Sequence, residues 1–203
     1  MNQNFSQQSL IESGTLNEKD LTLLNQCRGN HNKLGFAYQL IFIRLLNTLP
    51  DQSLLKIIEE IVVYAAIQLS INSTDIQRYK DSRRKIYNHQ QKIIQYLNIK
   101  EFDENTQCKL NSFILDKSMQ FESVGLLQIK ASEFLRNSQI LSPVEATLFR
   151  IVTKQRFLAR KMLFDKIRER LSSTITKNID ALLVVKSTYS EIEYIKRPIK
   201  NAS

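Results

Sequence analysis

Arg28-Gly29-Asn30-His31-Asn32-Lys33-Leu34-Gly35-Phe36-Ala37-Tyr38-Gln39-Leu40 opens with small and polar residues and turns apolar almost at once. From Leu34 the apolar run continues through Ile41, Phe42, Ile43 and Leu45. Apolar groups on nearly every face of a helix require burial on nearly every side. The spacing therefore predicts a central core helix over about 32–46. Gly35 inside it costs roughly 1 kcal/mol against alanine, which a close helix crossing would offset. Ahead of the apolar run, Arg28, Asn30, His31, Asn32 and Lys33 are all donors placed before a helix N-terminus, an arrangement that suits a phosphate. Ordinary capping by Asn30 or Asn32 accounts for the same residues, and both readings stand at this point.

Working outward, the chain reads as all-α. It has only 4 Gly and 3 Pro in 203 residues, and strand-type alternation is scarce. Residues 1–15 look loosely ordered. A helix starts near Leu16 with Asn17 as its cap and Asp20 at the third position. Pro50-Asp51 breaks the chain, and helices follow over about 53–69 and 74–97, joined by a turn that Asn72 or Ser73 can cap. Beyond lie helices over about 103–119 and 121–137. Pro143 then stands at the first position of a long helix to about 171, and a last helix covers about 177–185. Helix, short turn, helix occurs twice, over about 53–97 and 121–171, which is the spacing of a helix-turn-helix. The predicted architecture is a two-lobed helical array with tandem helix-turn-helix-like units. Its lobes are 1–100 and 101–185, and 186–203 is a linker toward a downstream region.

The net charge of +9 is unevenly placed. Residues 76–101 carry seven basic and two acidic side chains, and residues 128–170 carry ten and four. The segments before and between these blocks are mildly acidic, each at −2, and residues 171–203 carry +2. Two basic clusters suit two contacts with a polyanion, and two solvated helix faces explain them equally well. On 74–97, Ile76, Tyr79, Ile86, Tyr87, Ile93, Ile94 and Leu97 make an apolar stripe. Arg78, Ser82, Lys85, His89 and Lys92 recur opposite it, with Lys80 and Arg84 beside them. A reading helix needs such a division, one face for its own domain and one for a groove. Arg83 falls inside the apolar stripe and reads as a paired structural arginine. On 143–171, Leu148, Ile151, Val152, Leu158, Met162 and Leu163 form a core stripe, and Arg150, Lys154, Lys161 and Arg168 line the far side with Arg156 and Arg160 adjacent. Phe149, Phe157 and Phe164 form a second apolar strip that reads as packing on a neighbouring helix.

No convergent catalytic constellation is legible. Cys27 and His31 have a spacing that can bind metal on a helix, but His89 and Cys108 in that order complete no familiar zinc module. There is no Gly-rich phosphate loop. Glu59, Glu60 and Gln68 interrupt the most apolar stretch, so no membrane span is expected. Two cysteines and a polar first twenty residues fit a cytosolic compartment.

Several blocks in order carry a resemblance to the Tn-three family of replicative bacterial transposases. The opening run resembles that family's Arg-Gly-x-x-Asn-Arg-Leu-Gly-Phe-Ala-x-Gln-Leu signature. Tyr64-Ala65-Ala66-Ile67-Gln68-Leu69 is similar to its Ala-x-Gln-Leu block. His89 to Phe102, with Tyr96-Leu97-Asn98, is similar to its His-x-x-x-Ile-x-x-Tyr-Leu-Gly block, and Phe134-Leu135-Arg136 to Ile151-Val152 resembles its Leu-Arg block. Asn98 and Ser70 stand where the family usually has glycine, and Asn tolerates the left-handed conformation. Lys33 stands at a usual arginine.

The resemblance implies the N-terminal DNA-binding region of a far longer enzyme, which binds double-stranded DNA at transposon terminal inverted repeats in a bacterial, nucleoid-associated cytoplasmic setting. It also implies that catalysis belongs to an absent downstream Asp-Asp-Glu domain using Mg2+, that this segment is not itself an enzyme and carries no cofactor, and that any dimer forms through that downstream region. The residues alone leave open a stand-alone helix-turn-helix regulator, a basic helical adaptor and a truncated remnant.

Overall fold

The apolar run from Leu34 becomes the hub of the first lobe. In the computed structural model, residues 7–50, 57–120, 123–183, 185–186 and 189–190 are described. Helix α3 (Asn30–Leu46) is enclosed by α1 (Gln7–Gly14), α2 (Glu18–Asn25), α4 (Glu59–Leu69), α5 (Ile76–Lys80) and α6 (Arg83–Tyr96). Leu34, Ala37, Tyr38, Leu40 and Ile41 are fully buried, as an apolar surface on all sides demands. Gly35 sits under the Tyr79 ring of α5, where a methyl group would overlap the ring atoms. The close crossing expected from the glycine is therefore present.

Buried polar side chains fasten the lobe. Asn17 and Asp20 form a reciprocal capping box at the start of α2. Arg44 of α3 donates two hydrogen bonds to the fully buried Asp20 carboxylate, at 2.9 and 2.8 Å, and the Tyr96 hydroxyl of α6 donates a third at 2.8 Å. Burial pushes the Asp20 pKa up, but Arg44, the Asn17 N–H and Tyr96 together outweigh it and hold the carboxyl below its ordinary value. Gln68 of α4 accepts from the Leu16 N–H at 2.8 Å and donates to the Gly14 carbonyl at 3.1 Å, pinning the α1–α2 junction. Ser70 and Asn98, at the two glycine-type positions, both adopt the left-handed conformation with φ of 53° and 52°.

Three expectations in this lobe change. Residues 7–14 form a helix rather than a loose arm, because Leu10 and Gly14 bury against α3 and α4, a tertiary contact with no periodic signature. The helix expected over 74–97 breaks at Asp81-Ser82 into α5 and α6, preceded by a 3-10 turn (Ser73–Asp75) that Asn72 caps. The break lets Ile76 and Tyr79 of α5 and Ile86 and Ile93 of α6 all reach the same core. It also changes the phase, so Tyr87 and Arg83 are exposed. The helix expected from about residue 53 is seen from Glu59, and residues 51–56 lie outside the described residues.

The second lobe has its own apolar core. It joins Leu110 and Ile114 of α7 (Glu104–Ser118), Leu127, Ala131 and Leu135 of α8 (Val124–Asn137), and Leu148, Ile151 and Val152 of α9 (Glu145–Arg170). Asp103 and Thr106 cap α7 reciprocally, and Ser123 caps α8. Pro143 does not open α9; the helix begins two residues later, after residues 140–142 have been hydrogen-bonded to Lys100 and Asn47 of the first lobe. The all-α, two-lobed array is thus observed, with two apolar cores.

By compactness the chain divides after Arg156, giving units 1–156 and 157–203. The second unit holds the distal half of α9, α10 (Ser173–Leu183), and the two-residue strands β1 (Val185–Lys186) and β2 (Tyr189–Ser190), paired antiparallel. Leu158, Met162 and Leu163, expected in the core stripe, are exposed, and so are Phe149, Phe157 and Phe164. Residues 191–203, most of the expected linker, lie outside the described residues.

Candidate nucleic-acid interface

The residues before α3 do not cap it with a side chain. Gly29 is the N-cap residue, with φ of 83° and no side-chain hydrogen bond to the first turn. Asn32 N–H and Lys33 N–H close onto the Gly29 carbonyl at 3.1 and 3.2 Å, so the N–H groups of Asn30 and His31 precede the helical ladder. Asn32 is buried and its side chain donates backward to the Arg28 carbonyl at 2.6 Å, which folds the loop onto the helix. His31 lays its ring against Gly29, while Arg28 and Asn30 are exposed. Lys33 reaches Asn25 at 3.3 Å.

This loop lies beside α6. Half-buried Cys27 feels both Lys33 of α3 and Lys92 of α6; burial pushes its thiol pKa up and the two lysines oppose that. His89, one turn from Lys92 and from Lys85, feels both of those lysines. Lys33, Lys85 and Lys92 therefore border one region at the α3–α6 junction. His89 itself belongs to the core side of that region. Its Nδ1 meets the Tyr79 hydroxyl at 2.7 Å, and its ring stacks on Tyr79 and stands edge-on to Phe36. Tyr79 in turn accepts from the buried Gln39 amide. Burial first, then Lys92 and Lys85, lower the His89 pKa to about 4, so the ring is neutral near pH 7 and offers no charge to a phosphate. His89 and Asn32 thus commit their polar groups inward.

At the start of α6, Arg84 and Lys85 are exposed in the first turn, together with Arg83, which is exposed rather than the paired structural arginine expected from the apolar stripe. No acidic residue shares that turn, and Ser82 gives no side-chain cap. Three cations at the positive end of a helix oppose its dipole by roughly 0.3–1 kcal/mol each. By contrast, α2 and α7 begin with acidic residues and capping boxes. The start of α6 therefore concentrates positive charge where the helix dipole is also positive. Arg78 and Lys80 lie in the last turn of α5, where the dipole favours them.

In the second lobe, Arg150 folds onto its own helix, donating to Thr147 Oγ1 at 3.1 Å and the Ala146 carbonyl at 3.4 Å. Lys154 is exposed and Arg156 half-buried. Arg160 and Lys161 are exposed on the part of α9 that belongs to the second unit. Among the described residues, the ion-paired cations are Arg44, Lys117 and Lys130, and every candidate cation stands outside an ion pair. The signal that could have exposed Arg83 is Asp81-Ser82, a turn-prone pair ahead of it.

Among the described residues no group of three or more His, Cys, Asp or Glu could hold a metal ion. No described helix is long and apolar enough to cross a membrane.

A family model described as "Domain of unknown function (DUF4158)" matches residues 1–155. The chain is 28% identical over 187 residues to the transposase for transposon gamma-delta of Escherichia coli (strain K12), which covers 90% of this chain and 19% of that protein. It is 26% identical over 185 residues to the transposase for transposon Tn501 of Pseudomonas aeruginosa, covering 90% and 18%. With the transposase for transposon Tn1546 of Enterococcus faecium the identity is 22% over 169 residues, covering 83% and 17%. The chain therefore spans less than a fifth of the length of these relatives.

Proposed function

The chain belongs to the family described as a domain of unknown function (DUF4158), and we propose that it is the DNA-recognition region of a transposase, binding the terminal inverted repeats of its transposon. Colinear similarity to several transposases over more than four-fifths of the chain carries the reading. The exposed cations at the start of α6, which form no ion pair among the described residues, support it physically. Lobe 1–100 grips DNA through Arg28, Asn30, His31, Lys33, Arg78, Lys80, Arg84, Lys85 and Lys92, and Arg83 joins this set. Lobe 101–185 adds Arg150, Lys154, Arg156, Arg160 and Lys161. Long cations reach phosphates first and base edges second. Phosphate contacts hold the chain on any duplex, and a few base contacts select the repeat. Strand cutting and joining, Mg2+ and dimerisation belong to parts of the longer protein outside this chain, acting on DNA in the bacterial cytoplasm.

A gel-shift titration of the chain on a transposon-end duplex, against a scrambled duplex of equal length and at several salt concentrations, tests the reading. Preference for the end duplex with a steep salt dependence supports it. Equal binding to both duplexes, or none at low salt, refutes it.

A further inference from the structure

The two basic surfaces could have been joined by a polar, flexible linker of the kind that usually separates domains. The connection observed is of another kind. After α6 the chain turns at Asn98 and runs to Lys100, which pairs in parallel with Ile140. Lys100 N–H donates to the Gln139 carbonyl and Leu141 N–H to the Lys100 carbonyl, both at 2.8 Å. Ile140 and Leu141 are neighbours in an extended segment and point opposite ways: Ile140 enters the second core and Leu141 the first.

Asn47, held left-handed at the end of α3 with φ of 53°, uses both its groups on the same segment. Its amide donates to the Ile140 carbonyl at 2.8 Å, and its own carbonyl accepts from Ser142 N–H at 2.7 Å. From α8, Arg136 donates to the Arg44 and Leu45 carbonyls at 2.9 and 2.7 Å, filling two acceptors that the end of α3 leaves open. Rotation of one lobe against the other has to break all of these bonds and withdraw a side chain from a core. The exit of α6 and the entry of α9, the two basic helices, are the ends that are tied.

We infer that this clasp, with Asn47 and Arg136 as its positioning residues, makes residues 1–156 a fixed-length ruler that engages two DNA tracts at one set spacing. The inference rests on the DNA reading above.

Hydroxyl-radical footprinting of the chain on its transposon-end duplex locates the protected tracts. Affinity is then measured on that duplex and on a copy carrying about half a helical turn, some 5 base pairs, inserted between the tracts. For the native chain the insertion weakens binding roughly tenfold or more, because the second contact can no longer form alongside the first. In a chain carrying Asn47→Gly and Arg136→Ala, the backbone at residue 47 keeps its left-handed option and the DNA-facing cations are untouched. There the insertion penalty falls to about threefold or less. Nitrogen-15 relaxation, read without DNA, shows both lobes tumbling as one body in the native chain and separately in the double variant.

An equal insertion penalty in both chains, or two tracts with no penalty in the native chain, overturns the ruler. So does separate tumbling of the native lobes. Failure of the native chain to bind any duplex while its lobes tumble together refutes the DNA reading and the ruler's use, and leaves only the clasp as architecture.

Discussion

Acidification should unfold this protein earlier than its carboxylates alone would require, because of His89. The ring is packed between Tyr79 and Phe36, with Nδ1 2.7 Å from the Tyr79 hydroxyl, in a half-buried site where a charged imidazolium loses solvation. Burial and two nearby lysines lower its pKa from 6.5 to about 4. Between those values the unfolded chain binds a proton that the folded chain refuses, so stability rises with pH across the window. A drop of that size corresponds to about 3 kcal/mol; partial solvent access at the ring trims it to about 2 kcal/mol. The contribution is fully present above the unfolded value and is lost as pH falls toward about 4. Asp20, also held low, acts below its ordinary value of 3.8, so the two windows do not overlap. Urea denaturation at steps between about pH 4 and 7.5 reads the slope. His89→Gln keeps an acceptor for Tyr79 and removes the titration, and it should flatten the profile. A profile equally steep in native and variant chains would refute the assignment to His89.

Asp20→Asn should cost about 3–5 kcal/mol, since it leaves the Arg44 guanidinium without its charge partner; denaturant midpoints at neutral pH check this. Gly35→Ala should destabilise by about 1–3 kcal/mol despite the better helix former, because the new methyl meets the Tyr79 ring; a raised melting temperature would disprove the close crossing. Leu135→Ala should cost about 2–5 kcal/mol from the second core, read by the same denaturation assay. Arg84→Ala with Lys85→Ala should lower the slope of log affinity against log salt by roughly 2; an unchanged slope in filter binding would remove the start of α6 from the interface.

The residues that carried the family resemblance turn out to be fixtures of the fold. Gln39 bonds Tyr79 and Ile86, Gln68 pins the α1–α2 junction, His89 packs in the first core, and Arg136 bridges the lobes. In this chain they hold the architecture together, and the cations proposed to meet DNA lie largely between them. Local rules read the capping box of Asn17 and Asp20 directly, because its partners are three residues apart. They also read α3 as the hub, because apolar residues on every face leave a helix no other place.

Other features depend on partners distant in sequence. Residues 7–14 become helical only by resting on α3 and α4, and the break at Asp81-Ser82 exists so that two helices can share one core. His89 looked like one more polar residue on a basic face until Tyr79 and Phe36 enclosed it. The sequence by itself determined the helices, the caps and the placement of charge, because those follow from periodicity and from neighbours a few residues apart. Only the tertiary structure decided which polar groups face inward and how the lobes are joined, because a buried hydrogen bond from Asn47 to Ile140 spans 93 positions and leaves no mark on local pattern.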